Sequence, residues 1–370
     1  MINSRTVTLE EICEKGSSNI AQNEIENNFG TYPIYGAAGF IKNVDFYKSD
    51  KPYIGIVKDG AGVGRVSIHP EKSSLIGTMQ YIFPNENVDI NYLAEFLKSQ
   101  NLGRFYTGAT IPHIYFKDYK SIKLNLPSLE NQRYIAKEFC KCNEIIKKHK
   151  ALLEKYDILI KSRFIEMFGD PVQNPMGWEV KKLGNMCSAI MNGTTPKGGE
   201  QVYVENGITF LRSQNVWRNK IDLEDVAYID EATHKSMKKS SLKKYDILMT
   251  KTGRINTENS SLGRAALFLG EDDSANINGH VYLIRLEKEY NHEFVIRILT
   301  SLEYRDYIRS VCVGGIDKRQ VNKDHIEDFP IIQPPKELQD EYSAFVQQID
   351  KSKFEIANSL KRLYNKGMLS

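Results

Sequence analysis

The side chains best suited to chemistry sit in two glycine-containing stretches. Residues 58–65 read KDGAGVGR and residues 250–264 read TKTGRINTENSSLGR. The first is the nearest approach to a nucleotide loop. A dinucleotide fingerprint should follow a strand, open a helix and meet an acidic residue about 20 positions on. Here VSIHP follows, which is strand material, and the third glycine is out of place. The stretch reads instead as a glycine hairpin whose tip presents Lys58 and Arg65 to a phosphate backbone, with a plain solvent turn as the alternative. The second stretch is rich in Thr, Asn and Ser and carries Lys251, Arg254 and Arg264. Such side chains contact phosphates and read base edges, Arg pairing with guanine and Asn or Gln with adenine. A polar loop with no role would share that composition, but this loop is the longer of two repeated ones, which favours contact with DNA.

Residues 212–220 (RSQNVWRNK) offer Arg212, Gln214, Asn215 and Arg218 in the same mixture, with Trp217 suited equally to a core or to DNA. Residues 317–320 (DKRQ), with Lys318, Arg319 and Gln320, and their counterpart at 110–113, with His113, precede long helices. They read either as duplex-facing or as capping loops. Catalytic signatures are missing. The seven histidines form no HExxH pair, and Cys140 and Cys142, two apart on a helix, point about 200° apart, too far to share a metal. No Walker A sequence occurs. Asn174-Pro175-Met176 breaks the Asn/Asp-Pro-Pro-aromatic pattern of adenine methyltransferases, and no S-adenosylmethionine pocket is legible. The expectation is a chain that reads DNA without modifying or cutting it, and that holds no cofactor or metal of its own.

Composition narrows the setting. A chain of 370 residues predicts two or three domains with buried cores. Lys and Arg total 50 against 47 Asp and Glu, so any basic surface must be local. Five cysteines at irregular spacing fit a reducing cytoplasm better than a disulfide framework. There is no run of 18 apolar residues, and residues 1–10 lack a signal-peptide core, so a cytoplasmic protein without membrane contact is expected.

Two long helices must position these loops. From 131 to 167, the sequence places Ile135, Phe139, Cys142, Ile146, His149, Leu153, Tyr156 and Ile160 at alternating steps of four and three, a coiled-coil seam. A helix of that length runs roughly 55 Å. Its partner is expected at 336–366, with Tyr342, Phe345, Ile349, Ile356 and Leu363 facing it antiparallel. Before each helix the chain reads as a β-rich α+β domain, with strands around the glycine loops and over 208–217, and helices from about 90 and from 292.

The two halves repeat. TLEEI at 8–12 matches KLGNM at 182–186, Gly64-Arg65 matches Gly263-Arg264, and Gly77 matches Gly279. Gly108, Ile114, Pro127 and Gln132 match Gly315, Val321, Pro334 and Gln339. The offset grows from 174 (Thr8 against Lys182) to 207 (Gln132 against Gln339), so the second copy is longer, mostly ahead of its Gly-Arg pair. Domain, helix, domain, helix in one chain predicts an approximate two-fold arrangement, the local symmetry of duplex DNA backbones.

RFIEMFGDPVQNPMGWEVKKLG at 163–184 and the two endings, GATIPHIYFKDYKSIKLNLPSLENQ and GGIDKRQVNKDHIEDFPIIQPPKELQ, resemble the specificity subunits of bacterial type I restriction-modification systems. YPIYGAAGFI and DILMTKTGRI resemble phrases of that family's target recognition domains. The resemblance covers essentially the whole chain. Ile111 and Lys318 depart from the polar residues many members carry there, and the second domain's loop is long. The resemblance implies a fold with two target recognition domains, at 1–126 and 171–333, joined by helical spacers at 127–170 and 334–370. It implies a bipartite DNA site and two methyltransferase (M) subunits methylating adenine N6 with S-adenosylmethionine. It also implies restriction (R) subunits using ATP and Mg. Lys42 and Arg104 complete the candidate DNA-binding set. The competing reading is a coiled-coil scaffold with two protein- or peptide-binding end domains, which salt-sensitive DNA binding would exclude.

Overall fold

A computed structural model describes residues 5–108, 112–315 and 318–365, the last segment with side chains to 363. The chain divides into two compact units, residues 1–152 with 356–370, and residues 153–355. The 40-residue helix Leu129–Phe168 and the 30-residue helix Lys336–Asn365 contribute to both.

In the first unit, an antiparallel sheet runs in the order Cys13–Ser17, Met79–Pro84, Tyr53–Val57, Val66–His69. Tyr53–Val57 (YIGIV) is buried along its whole length, as a central strand covered on both faces must be. A smaller sheet orders Gly39–Val44, Tyr32–Gly36 and Ser74–Leu75, the last two in parallel. Helix Ile90–Ser99 buries Leu93, Ala94 and Leu97, and Asp89 caps it by accepting the Asn91 and Tyr92 amides. The ribbon Arg5–Thr8 with Lys123–Leu126 leads into the long helix.

The second unit repeats this plan. Its main sheet orders Cys187–Asn192, Val281–Leu286, Ile247–Thr250 and Ala265–Leu267, again antiparallel. Its second sheet again contains one parallel pair, Ile208–Leu211 with Ala275–Ile277. The ribbon Glu179–Lys182 with Pro330–Gln333 again precedes a long helix. The duplication inferred from scattered residues is therefore a duplication of strand order.

The seam falls where its spacing predicts. Ile146 and Ile160 are buried, and Ile135, Phe139, Cys142, His149, Leu153 and Tyr156 are half-buried among exposed charged positions. It extends through Phe164 and Phe168, beyond the last residue expected. Within the second unit the pairing is antiparallel. Asp157 meets Lys353 at 2.6 Å, Arg163 meets Glu341 at 2.8 Å, and the Tyr342 hydroxyl donates to the Ile160 carbonyl at 3.3 Å. Ile160, Phe164, Phe168, Tyr342, Val346 and Ile349 share one core with the second unit's main sheet. Gly169, with φ +76°, ends the first helix and donates to the Ile165 carbonyl.

Two expectations need correction. The helix expected from 292 is two helices, His292–Thr300 and Leu302–Val311, because Ser301 leaves helical geometry and its hydroxyl accepts the Tyr304 amide at 3.1 Å. The strand expected over 208–217 breaks after Leu211, where Asn215 accepts the Arg212 amide and folds a tight turn.

Candidate nucleic-acid interface

In the first unit, the Gly64 amide donates to the Val57 carbonyl at 2.8 Å and the Val57 amide to the Arg65 carbonyl at 2.9 Å. These bonds close a hairpin between the two buried strands and leave residues 58–63 as its tip. Gly64 has φ +85°, and a Cβ there would lie 2.3 Å from the Gly103 nitrogen, so the tip and the turn carrying Arg104 touch through a glycine. The other side of the tip is fixed by Gly60 donating to Pro112 at 3.0 Å and Ile114 donating to Lys58 at 2.9 Å. Asp59 pairs with His113 in a β-bridge. Lys58, Arg65, Arg104 and His113, far apart in sequence, thus gather at one glycine loop. Arg65 and Arg104 are exposed, Lys58 and His113 half-buried. A shallow cavity of about 470 Å³ lies beside the loop, lined by residues 61–66, Lys98 and the 101–103 turn.

Lys42 does not join them. Its ammonium donates to the Ile25 and Glu26 carbonyls at 3.0 and 2.9 Å and sits 4.0 Å over the Phe29 ring, fastening a local turn.

The second unit builds the same apparatus. Gly263 (φ +66°) donates to the Thr250 carbonyl, and the Thr250 amide to the Arg264 carbonyl at 2.8 Å. Val321 donates to Lys251 at 2.9 Å, as Ile114 does to Lys58. Lys58 and Lys251 are therefore structural equivalents, each two residues before a glycine at the end of a buried strand (IVKDG and MTKTG). Thr252–Gly253 pairs with Arg319–Gln320, placing Gln320 at the equivalent of His113. Lys251, Arg319 and Gln320 are brought together, with Arg254 and Lys318 exposed at the edges. Thr110, Ile111 and Asp317, also singled out by the sequence, lie outside the described residues.

Several candidates serve the loops themselves. Arg264 is 9% exposed: its Nε donates to the Ser260 carbonyl at 2.9 Å, another guanidinium nitrogen donates to the Asn259 carbonyl, and the group stacks 3.9 Å above Trp217. Burial lowers its pKa. Asn215 is buried, and its amide donates to the Asp222 and Asp225 carbonyls at 3.0 and 2.8 Å. Arg212 and Gln214 both bind the Asp225 side chain, at 3.3 and 2.7 Å. Trp217 remains partly exposed beneath Arg264 rather than entering the core.

Sequence reasoning missed Arg305 and Arg309. They stand at i and i+4 on Leu302–Val311, and Arg309 donates to the Thr257 carbonyl at 3.2 Å. Their spacing on one helix face was the available signal. Burial pushes the Cys13 and Cys187 thiols up to about 12, which makes them poor nucleophiles. Among the described residues no group of three or more His, Cys, Asp or Glu could hold a metal, and no helix is long and apolar enough to cross a membrane.

Comparison with known proteins gives consistent results. The family model for the type I restriction modification DNA specificity domain matches residues 1–155 and 175–363. The MjaIX specificity subunit of Methanocaldococcus jannaschii is 24% identical over 311 residues, covering 78% of this chain and 69% of the relative. The MjaVIII specificity subunit of the same organism is 30% identical over 217 residues, and there the match spans 53% of this chain and only 47% of the relative. The StySPI specificity subunit of Salmonella potsdam is 22% identical over 306 residues, 77% of this chain and 63% of that protein. In fold, the chain is similar to the type I restriction-modification S subunit from M. genitalium, with a TM-score of 0.64 at 16% identity over 100% of this chain and 95% of that one.

Proposed function

The chain belongs to the type I restriction modification DNA specificity family, and from that premise we propose that it reads a bipartite DNA site for a methylating and restricting complex. A specificity subunit recognises and does not catalyse, and the absence of methyltransferase and nuclease motifs from the sequence agrees with that role. The observation that carries the reading is the duplicated loop apparatus. Each unit closes a hairpin on a left-handed glycine, at Gly64 and Gly263, and each ties a lysine at the end of its central strand to a returning segment. Two equivalent surfaces in one chain suit a split target, because separated half-sites need separate reading heads.

In this reading, residues 1–126 contact one half-site and 171–333 the other, and the lengths of the two long helices set the number of base pairs between them. Lys58, Arg65, Arg104 and His113 serve the first half; Arg218, Lys251, Arg254, Lys318, Arg319 and Gln320 serve the second. M subunits supply S-adenosylmethionine and transfer methyl to adenine N6 in each half, with the base turned out of the stack. R subunits supply ATP- and Mg-dependent cleavage. The protein works where chromosomal DNA is, in the cytoplasm.

Methylome sequencing of cells with and without the gene, each expressing the M subunit, tests this. A single split adenine motif should depend on the gene, and its absence from both cultures would sink the reading. Exchanging residues 177–330 for those of a relative should then alter one half of the motif only.

A further inference from the structure

In each unit the strand that pairs in parallel ends beside the lysine of the glycine loop. Tyr32–Gly36 runs parallel to Ser74–Leu75, and the Tyr35 carbonyl accepts the Ile76 amide at 2.9 Å. Two residues on, the Thr78 carbonyl accepts the Lys58 amide at 2.9 Å. The second unit repeats both bonds. Ile208–Leu211 runs parallel to Ala275–Ile277, the Leu211 carbonyl accepts the Asn278 amide at 3.0 Å, and the His280 carbonyl accepts the Lys251 amide at 2.9 Å. The segments that follow Tyr35 and Leu211 are thereby delivered to the two loops that carry the candidate DNA contacts.

Those segments differ in length and agree in what they present. In the first unit the turn Ala37-Ala38 returns directly into Gly39–Val44, with Phe40 opposite Tyr35. In the second, residues 212–226, which include Trp217, intervene before Ala227–Ile229 returns along the same strand. Both segments meet the arginine of the Gly-Arg pair. Arg65 donates to the Ala37 carbonyl at 2.9 Å, and Arg264 stacks 3.9 Å above Trp217. Both also leave a ring in solvent, Phe40 at 60% and Trp217 at 40% exposure. A lone exposed ring is common on protein surfaces, but here one recurs beside the same arginine in two copies whose connecting segments share neither length nor composition. Among the described residues neither ring belongs to a hydrophobic cluster. A Cβ on Gly39 would meet nothing within 4 Å, so the turn beside Phe40 stands in open space. Trp217 lines a cavity of about 380 Å³ with Asn259 and Ser260 of the polar loop. With one face covered by Arg264, it can lie against a base but cannot insert between two.

We propose that Phe40 and Trp217 are the apolar base contacts of the two half-sites, each ring laid against a thymine 5-methyl group in the major groove. This rests on the DNA-reading function above and adds to it a contact that does not depend on charge. The cations of the loops attract any duplex, because phosphates carry no sequence information. The thymine methyl is the apolar group that the major groove presents, and an aromatic ring is a side chain that reads it. A half-site with an adenine to methylate always contains a thymine on the other strand.

The test is equilibrium binding of the full chain, assembled with its M subunit, to fluorescein-labelled duplexes carrying the split motif found by methylome sequencing. Thymine is replaced by uracil in one half of the motif at a time. Wild type should bind each uracil duplex less tightly, by about fourfold for one methyl group lost from contact. F40A should abolish that difference in one half only and W217A in the other half only. Both should keep the wild-type slope of log K against log salt, since no phosphate contact is removed. A wild type indifferent to uracil, or a variant as sensitive to it as wild type in both halves, overturns the contact and leaves the DNA reading standing. A flattened salt slope overturns it too, because the ring would then act by holding its arginine on a phosphate. If the wild-type complex shows no preference for the motif over a duplex of random sequence, the DNA reading fails and the ring contacts with it.

Discussion

The side-chain amide of Gln132 donates a 2.9 Å hydrogen bond to the carbonyl of Pro127, five residues earlier, and Gln339 repeats the bond to Pro334 at 2.8 Å. Both glutamines are buried. A proline ahead of a helix leaves its carbonyl facing inward, and a glutamine in the second turn satisfies it without water. This explains why the repeat preserves both residue types at a fixed spacing where little else matches.

Gln132 does more than its twin, and the difference is measurable. It also accepts the Asp89 amide at 2.8 Å and donates to the Asn87 carbonyl at 3.1 Å, tying the long helix to the cap of Ile90–Ser99. Q132A should cost about 1–3 kcal/mol by leaving buried groups unpaired, and Q339A less. Hydrogen exchange of the helix entries, read separately for the two variants, checks the order; equal protection loss would contradict it.

Gly64 should be intolerant in a way Gly39 is not. Both have positive φ, but a Cβ at Gly64 meets backbone at 2.3 Å, whereas at Gly39 nothing lies within 4 Å. G39A incurs only backbone strain, on the order of 1–3 kcal/mol. G64A adds a collision that pushes the Lys58–Arg65 tip away from Arg104. Duplex binding should therefore fall several-fold for G64A and stay near wild type for G39A in the same salt.

Asp246 is the acid whose loss the second unit should tolerate least. It is 2% exposed, binds Arg285 through both carboxylate oxygens at 2.8 and 2.6 Å, and accepts the Lys243 amide at 2.7 Å. The hydrogen bond to Asp246 holds the Arg285 pKa above its ordinary value. D246A strands a half-buried guanidinium, a change that costs about 3–5 kcal/mol when such pairs are broken. Urea unfolding followed by Trp217 and Trp178 fluorescence would show it, and a loss under about 1 kcal/mol would mean that water replaces the carboxylate.

His69 should make the first unit acid-sensitive. It is buried against Tyr35 and Tyr53 and bonded to Ser67 at 2.7 Å, and burial lowers its pKa to about 4. The unfolded chain protonates this ring near 6.5. Below that pH the unfolded state binds the extra proton, so stability is full above about 6.5 and is lost as pH falls from there toward about 4. The pH dependence of the urea midpoint over that window should be shallower in H69Q than in wild type; parallel curves would show that His69 does not titrate differently on folding.

Helix existence and the repeat were legible in the residues because they depend on local periodicity and on backbone needs that few residue types meet. The seam at 135–160 and the Gly-Arg pairs both belong to this class. The candidate site was legible only in part. Lys58, Arg65, Lys251 and Arg254 sit in loops whose composition announces them. Arg305 and Arg309 looked like ordinary charges on one long helix, and Ser301, which breaks that helix, belongs to a residue type that helices tolerate inside and favour at their N-caps, so its presence alone did not mark a break.

The long-helix seam and the repeat were carried by the sequence itself, because they follow from spacing, and the family was carried by resemblance; the breaks after Leu211 and at Ser301 were not legible there. Tertiary structure decided which cations are free. Arg264, Arg212 and Asn215 have the side chains of DNA readers, but carbonyls and carboxylates supplied by neighbouring turns engage them. Arg218 has the same chemistry and no such partner among the described residues. A hydrogen-bonding group declares its type in the sequence, and only the folded neighbourhood declares whether that capacity is already used.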